Sequence, residues 1–122
     1  MIPRTKWVMD WAEQKALQTQ ADDTYQKLIS VINKASNKRS WTAVSKIRST
    51  AWSKALIEKY ADQLDWHELS TNYSLPWNDQ FIDYFENKWD WFYLSLAEFL
   101  PWSDELILHY YEKWNWYGLS KN

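Results

Sequence analysis

Leu75-Pro76-Trp77-Asn78-Asp79 returns 25 residues later as Leu100-Pro101-Trp102-Ser103-Asp104, and this recurrence decides how the rest of the chain is read. Working outward from it, Trp52 joins Trp77 and Trp102 in one register. Trp41, Trp66, Trp91 and Trp116 share a second, and Leu64, Trp89 and Trp114 a third. Ser45, Ser70, Ser95 and Ser120 recur with the same spacing. Self-similarity at a fixed period of this length marks stacked supersecondary units, because no unit so short can bury its apolar face alone.

Each copy reads as one helix, a tight connection and a second short helical turn. In the last copy Ser103 is a favoured N-cap, Asp104 and Glu105 bring negative charge to the first turn, and Leu106, Ile107, Tyr110 and Trp114 recur at helical spacing. This predicts an amphipathic helix of about three turns. Asn78 with Phe81, Ile82, Phe85 and Trp89, and Ser53 with Leu56, Ile57, Tyr60 and Leu64, repeat the pattern. A Trp before each cap and Ile57, Ile82 or Ile107 five places on have the spacing of a hydrophobic staple. A second capping register, Ser40, Asp65, Asp90 and Asn115, predicts the short turns. In two copies a Pro drives the preceding Leu75 or Leu100 out of the α region and ends the turn. One Gly in 122 residues cannot supply the turns of a strand array.

The expected fold is therefore all-α: a short α-solenoid of about four 25-residue helix/short-helix repeats behind an N-terminal helical cap. Residues 1–40 form the cap, including the degenerate first repeat helix, with helices around Trp7, Trp11 and Leu17 and around Tyr25, Leu28, Ile29 and Ile32. Residues 41–122 hold the repeats, with copies at 52–76, 77–101 and 102–122, and the whole makes one compact domain. The chain has 11 Trp, no Cys, 46% apolar and 25% charged residues. That is a globular rather than a disordered composition, with neither disulfide nor thiolate chemistry. Nothing in Met1 to Lys15 resembles a signal peptide or a membrane span, so a cytoplasmic location, in a bacterium or an infected host cell, is expected.

A repeat of 25 residues has few core positions, and Trp fills one with roughly 150–250 Å² of ring, worth about 4–6 kcal/mol as an upper bound. The tryptophans are accordingly read as packing, not as a ladder for bases or sugars. The pattern Lys-Trp-Asp/Asn-Trp-x-x-Leu-Ser at 88–95 and 113–120, followed by Leu-Pro-Trp-Ser/Asn-Asp, resembles Trp-rich short tandem repeats of bacterial and viral proteins of unsettled function. The likeness covers residues 52–122 well and 27–51 weakly, and it implies no catalytic residue. The copies also diverge: Leu64 stands in the register of Trp89 and Trp114, Ala97 in that of Asn72 and Asn122, and Arg39 and Thr50-Ala51 break the first copy.

No Gly-rich phosphate loop, metal-ligand spacing or nucleophile triad is present, so neither catalysis nor a cofactor or metal is expected. His67 and His109 occupy registers filled elsewhere by unrelated residues and are read as surface positions. The repeated serines are read as satisfying loop backbone groups. Function is sought where the copies differ. Tyr73, Tyr84, Phe92, Tyr93, Phe99, Tyr111 and Tyr117 are aromatic at varying positions, the residue types that interfaces favour. Charge is divided as well: residues 1–60 carry 11 Lys/Arg against 5 Asp/Glu, and residues 61–122 carry 3 against 11.

The expected function is a non-catalytic module that binds a protein or nucleoprotein by surface contact. A specific form is an anti-CRISPR-like inhibitor, a phage or mobile-element antagonist of host nucleoprotein defence. Its acidic half, with Asp79, Asp83, Glu86, Asp90, Asp104, Glu105 and Glu112, would mimic nucleic acid. One alternative is nucleic-acid binding through Lys34, Lys38, Arg39, Lys46, Arg48 and Lys54. Another is a self-associating structural protein, a homo-oligomer through the uncapped C-terminal end. No membrane partner is expected.

Overall fold

The computed structural model of the chain describes residues 23–121; the helix expected around Trp7, Trp11 and Leu17 lies outside the described residues, as does Asn122. The described residues are all-α, with eight helices and no strand. They are α1 (residues 23–34), α2 (Lys38–Ser45), α3 (Lys54–Lys59), α4 (Trp66–Leu69), α5 (Asp79–Tyr84), α6 (Trp91–Leu96), α7 (Asp104–His109) and α8 (Trp116–Leu119). No helix among them is long and apolar enough to cross a membrane.

The caps form as the residue types dictate. Ser53, Asn78 and Ser103 accept from the N–H three residues on, opening α3, α5 and α7. Asp65, Asp90 and Asn115 do the same for α4, α6 and α8. Ser40 does not cap α2. Asn37 takes that place three residues earlier, accepting from Ser40 N–H while Ser40 Oγ accepts from Asn37 N–H. This reciprocal capping box satisfies two backbone donors at once, which Ser40 alone could not, and it adds a turn to α2.

The expected three-turn helices are shorter than their apolar spacing implies. α7 stops at His109, and the chain passes through a turn at 110–113 before Trp114. In two copies the third Trp register meets that stop, while α3, with Leu64 in that register, ends at Lys59 all the same. The Nε1–H of Trp114 donates to Ile107 O (3.1 Å), a carbonyl that a continuing helix would offer to Tyr111 N–H, which goes to Leu108 O instead. Trp89 does the same to Ile82 O in the preceding copy (2.9 Å). An indole thus closes the helix C-terminus, satisfying one of its orphan carbonyls. In the other registers Trp52, Trp66, Trp77, Trp91 and Trp102 each donate to the carbonyl five residues back. Pro76 and Pro101 sit inside turns closed by N–H of Trp77 and Trp102 on Leu75 O and Leu100 O (2.8 Å each), an i→i+2 bond that suits their fixed φ.

The core runs from Leu28 and Ile32 of α1 through Trp52, Ile57, Leu69, Ile82, Trp89, Leu94 and Leu106 to Trp114. On α1, Tyr25 is exposed rather than part of the cap's buried face, and Ile29 is half-buried. Successive copies are joined by one bond pattern. The buried Oγ of Ser45, Ser70 and Ser95 accepts from the N–H of Asp65, Asp90 and Asn115, the cap of the next short helix, at 2.8–2.9 Å. Each of these hydroxyls donates to the carbonyl four residues back, on Trp41, Trp66 or Trp91. Ring contacts follow the same path: Trp41 meets Tyr60, Trp66 meets Phe85 and Trp89, and Trp91 meets Tyr110 and Trp114, with centroids 4.9–5.7 Å apart. α2 packs on α4 and α6 on α8. The last pair approaches so closely that a Cβ at Gly118 would lie 3.1 Å from Ser95 Cβ.

Buried Asn72 is a further clasp. Its Nδ2 donates to Ser45 O and Ile47 O of the preceding copy at 3.0 and 2.8 Å, and its Oδ1 accepts from both Ser74 N–H and Ser74 Oγ. In the next copy the register holds buried Ala97, which offers no such side-chain bonds.

Candidate interaction surfaces

The acidic residues are placed by the starts and ends of the longer helices. Asp79 stands at the first residue of α5, Asp104 and Glu105 open α7, and Asp83 lies in the last turn of α5. An open groove of about 340 Å³ between α5 and α7 brings together Asp79, Asp83 and Glu105 with Gln80, Leu106, His109 and Tyr110. Glu86 is near enough to act on Tyr110 electrostatically, whereas Asp104 does not line the groove. Glu112 lies on a neighbouring surface with Leu108, Tyr111 and Lys113, and Asp90 is occupied as the α6 cap.

Asp83 is the electrostatic centre of that groove. Tyr110 Oη donates to its Oδ1 at 3.0 Å, and His109 Nε2 lies 3.6 Å from the same oxygen. Burial pushes the Tyr110 hydroxyl well above the ordinary tyrosine range. The hydrogen bond to Asp83 and the negative charges of Asp83, Glu86 and Asp79 push it further. One copy earlier Tyr84 is raised first by its hydrogen bond to Glu58, then by burial and by that carboxylate's charge.

Both histidines are surface residues that link copies. His67 Nδ1 lies 3.1 Å from Asp90 Oδ2, and its ring sits edge-on to Tyr93. Thr42 Oγ1 donates to Asp65 Oδ2 at 2.8 Å from the same register one copy earlier. No group of His, Cys, Asp or Glu among the described residues is arranged to hold a metal ion.

Of the varying aromatics, Tyr73, Tyr84, Phe92, Tyr111 and Tyr117 are exposed. Tyr93 is half-buried between His67 and Phe92, and Phe99 packs on Trp77 against the core. The basic residues Lys34, Lys38, Arg39, Lys46, Arg48 and Lys54 are all exposed but do not converge on one cleft. Lys38, Arg48 and Lys54 line three different grooves. Arg48 lies over the Tyr73 ring (4.7 Å) and Lys54 over Tyr84 (3.7 Å), so two of the basic residues are partners of two of the aromatics. Sequence reading had treated these as separate sets; their spacings of 25 and 30 residues are the only signal that could have joined them.

No family model, no curated protein and no solved structure matches the chain.

Proposed function

We propose that the chain is a short α-solenoid that acts as a non-catalytic binding module, meeting a protein or nucleoprotein partner through residues that vary between its copies. One observation carries this reading: residues that recur among copies are largely buried, while five large aromatics at varying positions remain exposed. Exposed aromatic surface on a scaffold that buries its repeated apolar residues is the pattern of an interface. The groove of Asp79, Asp83 and Glu105 gives that surface an acidic element suited to a basic site on the partner, such as a nucleic-acid groove in a nucleoprotein complex. In that form the module would inhibit its partner by competing with nucleic acid.

The test compares the chain with Asp79→Lys, Asp83→Lys and Glu105→Lys combined, in capture from host lysate and in competition with labelled DNA for the captured complex. Displacement of DNA by the parent chain and not by the variant supports the reading. Capture of no stoichiometric partner, or unchanged displacement on charge reversal, removes it.

The basic side supports a second reading. Arg48 and Lys54 over tyrosine rings combine cation and aromatic surface, as single-stranded nucleic-acid sites do. A mobility shift at low salt that vanishes at high salt is expected if this side binds nucleic acid; no shift at low salt refutes it.

A further inference from the structure

We propose that the open groove between α5 and α7 takes a lysine side chain of the partner, in the place that the chain's own Lys54 fills one joint earlier. The inference rests on the partner-binding reading above and names what this groove recognises. Three carboxylates do not of themselves define a ligand; here the preceding joint holds one.

Between α3 and α5 the joint is closed from within. Lys54, the first residue of α3, reaches across and sets its ammonium 3.7 Å from the centre of the Tyr84 ring. Glu58, one turn further along α3, is hydrogen-bonded to the hydroxyl of that tyrosine. A cation, an aromatic face and a carboxylate thus all come from the chain itself, with one positive charge against one negative.

Between α5 and α7 the walls recur and the cation does not. His109 stands in the register of Tyr84, and Tyr110 in that of Phe85. Both pairs are edge-on, at 87° and 86° with centroids 4.5 and 4.8 Å apart, so the imidazole keeps the phenol's setting against its neighbour. Asp83 stands in the register of Glu58 and takes the hydroxyl of Tyr110. Asp79 stands in the register of Lys54, a shorter and anionic side chain in place of the one that crosses the joint. Glu105 replaces Gln80, and Leu106 replaces the larger Phe81. What remains is an open volume of about 340 Å³ with three carboxylates on its walls. His109 lies beside Asp83, but among the described residues Asp79 and Glu105 have no cationic partner.

The floor and the rim suit a long aliphatic cation. Leu106 and Tyr110 are buried at the base, while Asp79, Asp83 and Glu105 are exposed around it. An alkyl stem can therefore lie against the floor while its ammonium meets the rim carboxylates, as lysines do at apolar surfaces. An uncharged stem of the same length leaves those carboxylates unanswered, and an anionic one is repelled.

Amide shifts in NMR spectra of the full, isotope-labelled chain test this with the pentapeptide acetyl-Gly-Gly-Lys-Gly-Gly-amide and its norleucine counterpart. The lysine peptide is expected to move amides of α5 and α7, saturably and less at high salt; the norleucine peptide, which keeps the stem without the charge, should move none. Asp79→Lys rebuilds the Lys54 pattern in this joint and should weaken the lysine peptide at least about tenfold. Glu105→Gln, which restores the residue type of Gln80, should weaken it as well and serves should the first variant unfold. Equal shifts from both peptides, shifts indifferent to both substitutions, no shift at any peptide concentration, or binding of spermidine where the lysine peptide does not bind, overturns the proposal. Peptide binding with no partner captured from lysate removes the partner reading and leaves the groove's preference for lysine; a captured partner with a groove that ignores the peptide does the reverse.

Discussion

Ser70 shows how much one hydroxyl does in this chain. Its Oγ donates to Trp66 O and accepts from Asp90 N–H, with the side chain fully buried between two copies. Ser70→Ala leaves the Asp90 N–H without its partner and should cost about 1–3 kcal/mol in urea unfolding. Ser120→Ala, in the same register but exposed, should change stability by less than about 0.5 kcal/mol. Tryptophan divides in the same way. Trp89→Ala removes a buried ring and the donor to Ile82 O, and should cost about 3–5 kcal/mol, whereas exposed Trp116→Ala should cost a small fraction of that. Equal losses at both members of either pair would contradict the joints described.

Tyr110 adds a dependence on pH. Its hydroxyl has a folded-state pKa raised above the ordinary value of 10.0, so the folded chain holds that proton more tightly than the unfolded chain. The stabilisation is therefore complete below about pH 10 and is lost as pH rises from there toward the folded pKa. Tyr110→Phe should flatten the fall of thermal stability in alkali relative to the parent chain, which a series of melting curves above pH 9 would show. An unchanged slope would mean that burial and the Asp83 contact together do not hold the proton.

At the scale of elements, caps were legible in the sequence and helix lengths were not. Ser53, Asn78, Ser103, Asp65, Asp90 and Asn115 all open helices, because capping depends on a side chain and an amide three residues away. Trp89 and Trp114 fold back seven residues to a carbonyl at two of the stops, α3 stops at Lys59 with Leu64 in that register, and apolar periodicity runs straight through all three. α2 illustrates the same limit. Ser40 matches the register of later caps, yet Asn37 with Ser40 makes a reciprocal box that out-competes it. Asn37→Ala should cost about 1 kcal/mol and raise amide exchange in the first turn of α2, with little effect at α6. The interaction surfaces were less legible. Variation between copies marked Tyr73, Tyr84 and Tyr117, which are exposed, but also Phe99, which packs on Trp77. A varying residue can thicken a core as readily as leave it, and sequence spacing does not distinguish the two.

Across the whole molecule, the bonds between copies are interchangeable. The Ser45–Asp65, Ser70–Asp90 and Ser95–Asn115 pairs are all 20 residues apart. Removing residues 77–101 joins Pro76 to Trp102 and sets Asn115 20 residues beyond Ser70. That shortened chain is expected to fold and to melt cooperatively at a lower temperature. Removing half a copy breaks every later register and should abolish the transition. Asn72, whose clasp reaches back to Ser45 O and Ile47 O, stays in the shortened chain, so the loss should be that of one copy and not of the whole.

The ring contacts have an optical consequence. Trp66 and Trp89 lie 5.0 Å apart across one joint, and Trp91 and Trp114 lie 5.0 Å apart across the next. Trp77 and Trp102 extend each pair within a copy, at 4.7 and 4.8 Å. Indole transition dipoles at such separations share an excitation rather than absorb singly, so their combined ultraviolet absorption should split into a paired circular-dichroism band. The joints thereby carry their own chromophore: the band should fade as neighbouring copies part, before the helices within them melt, and no attached dye is needed to see it.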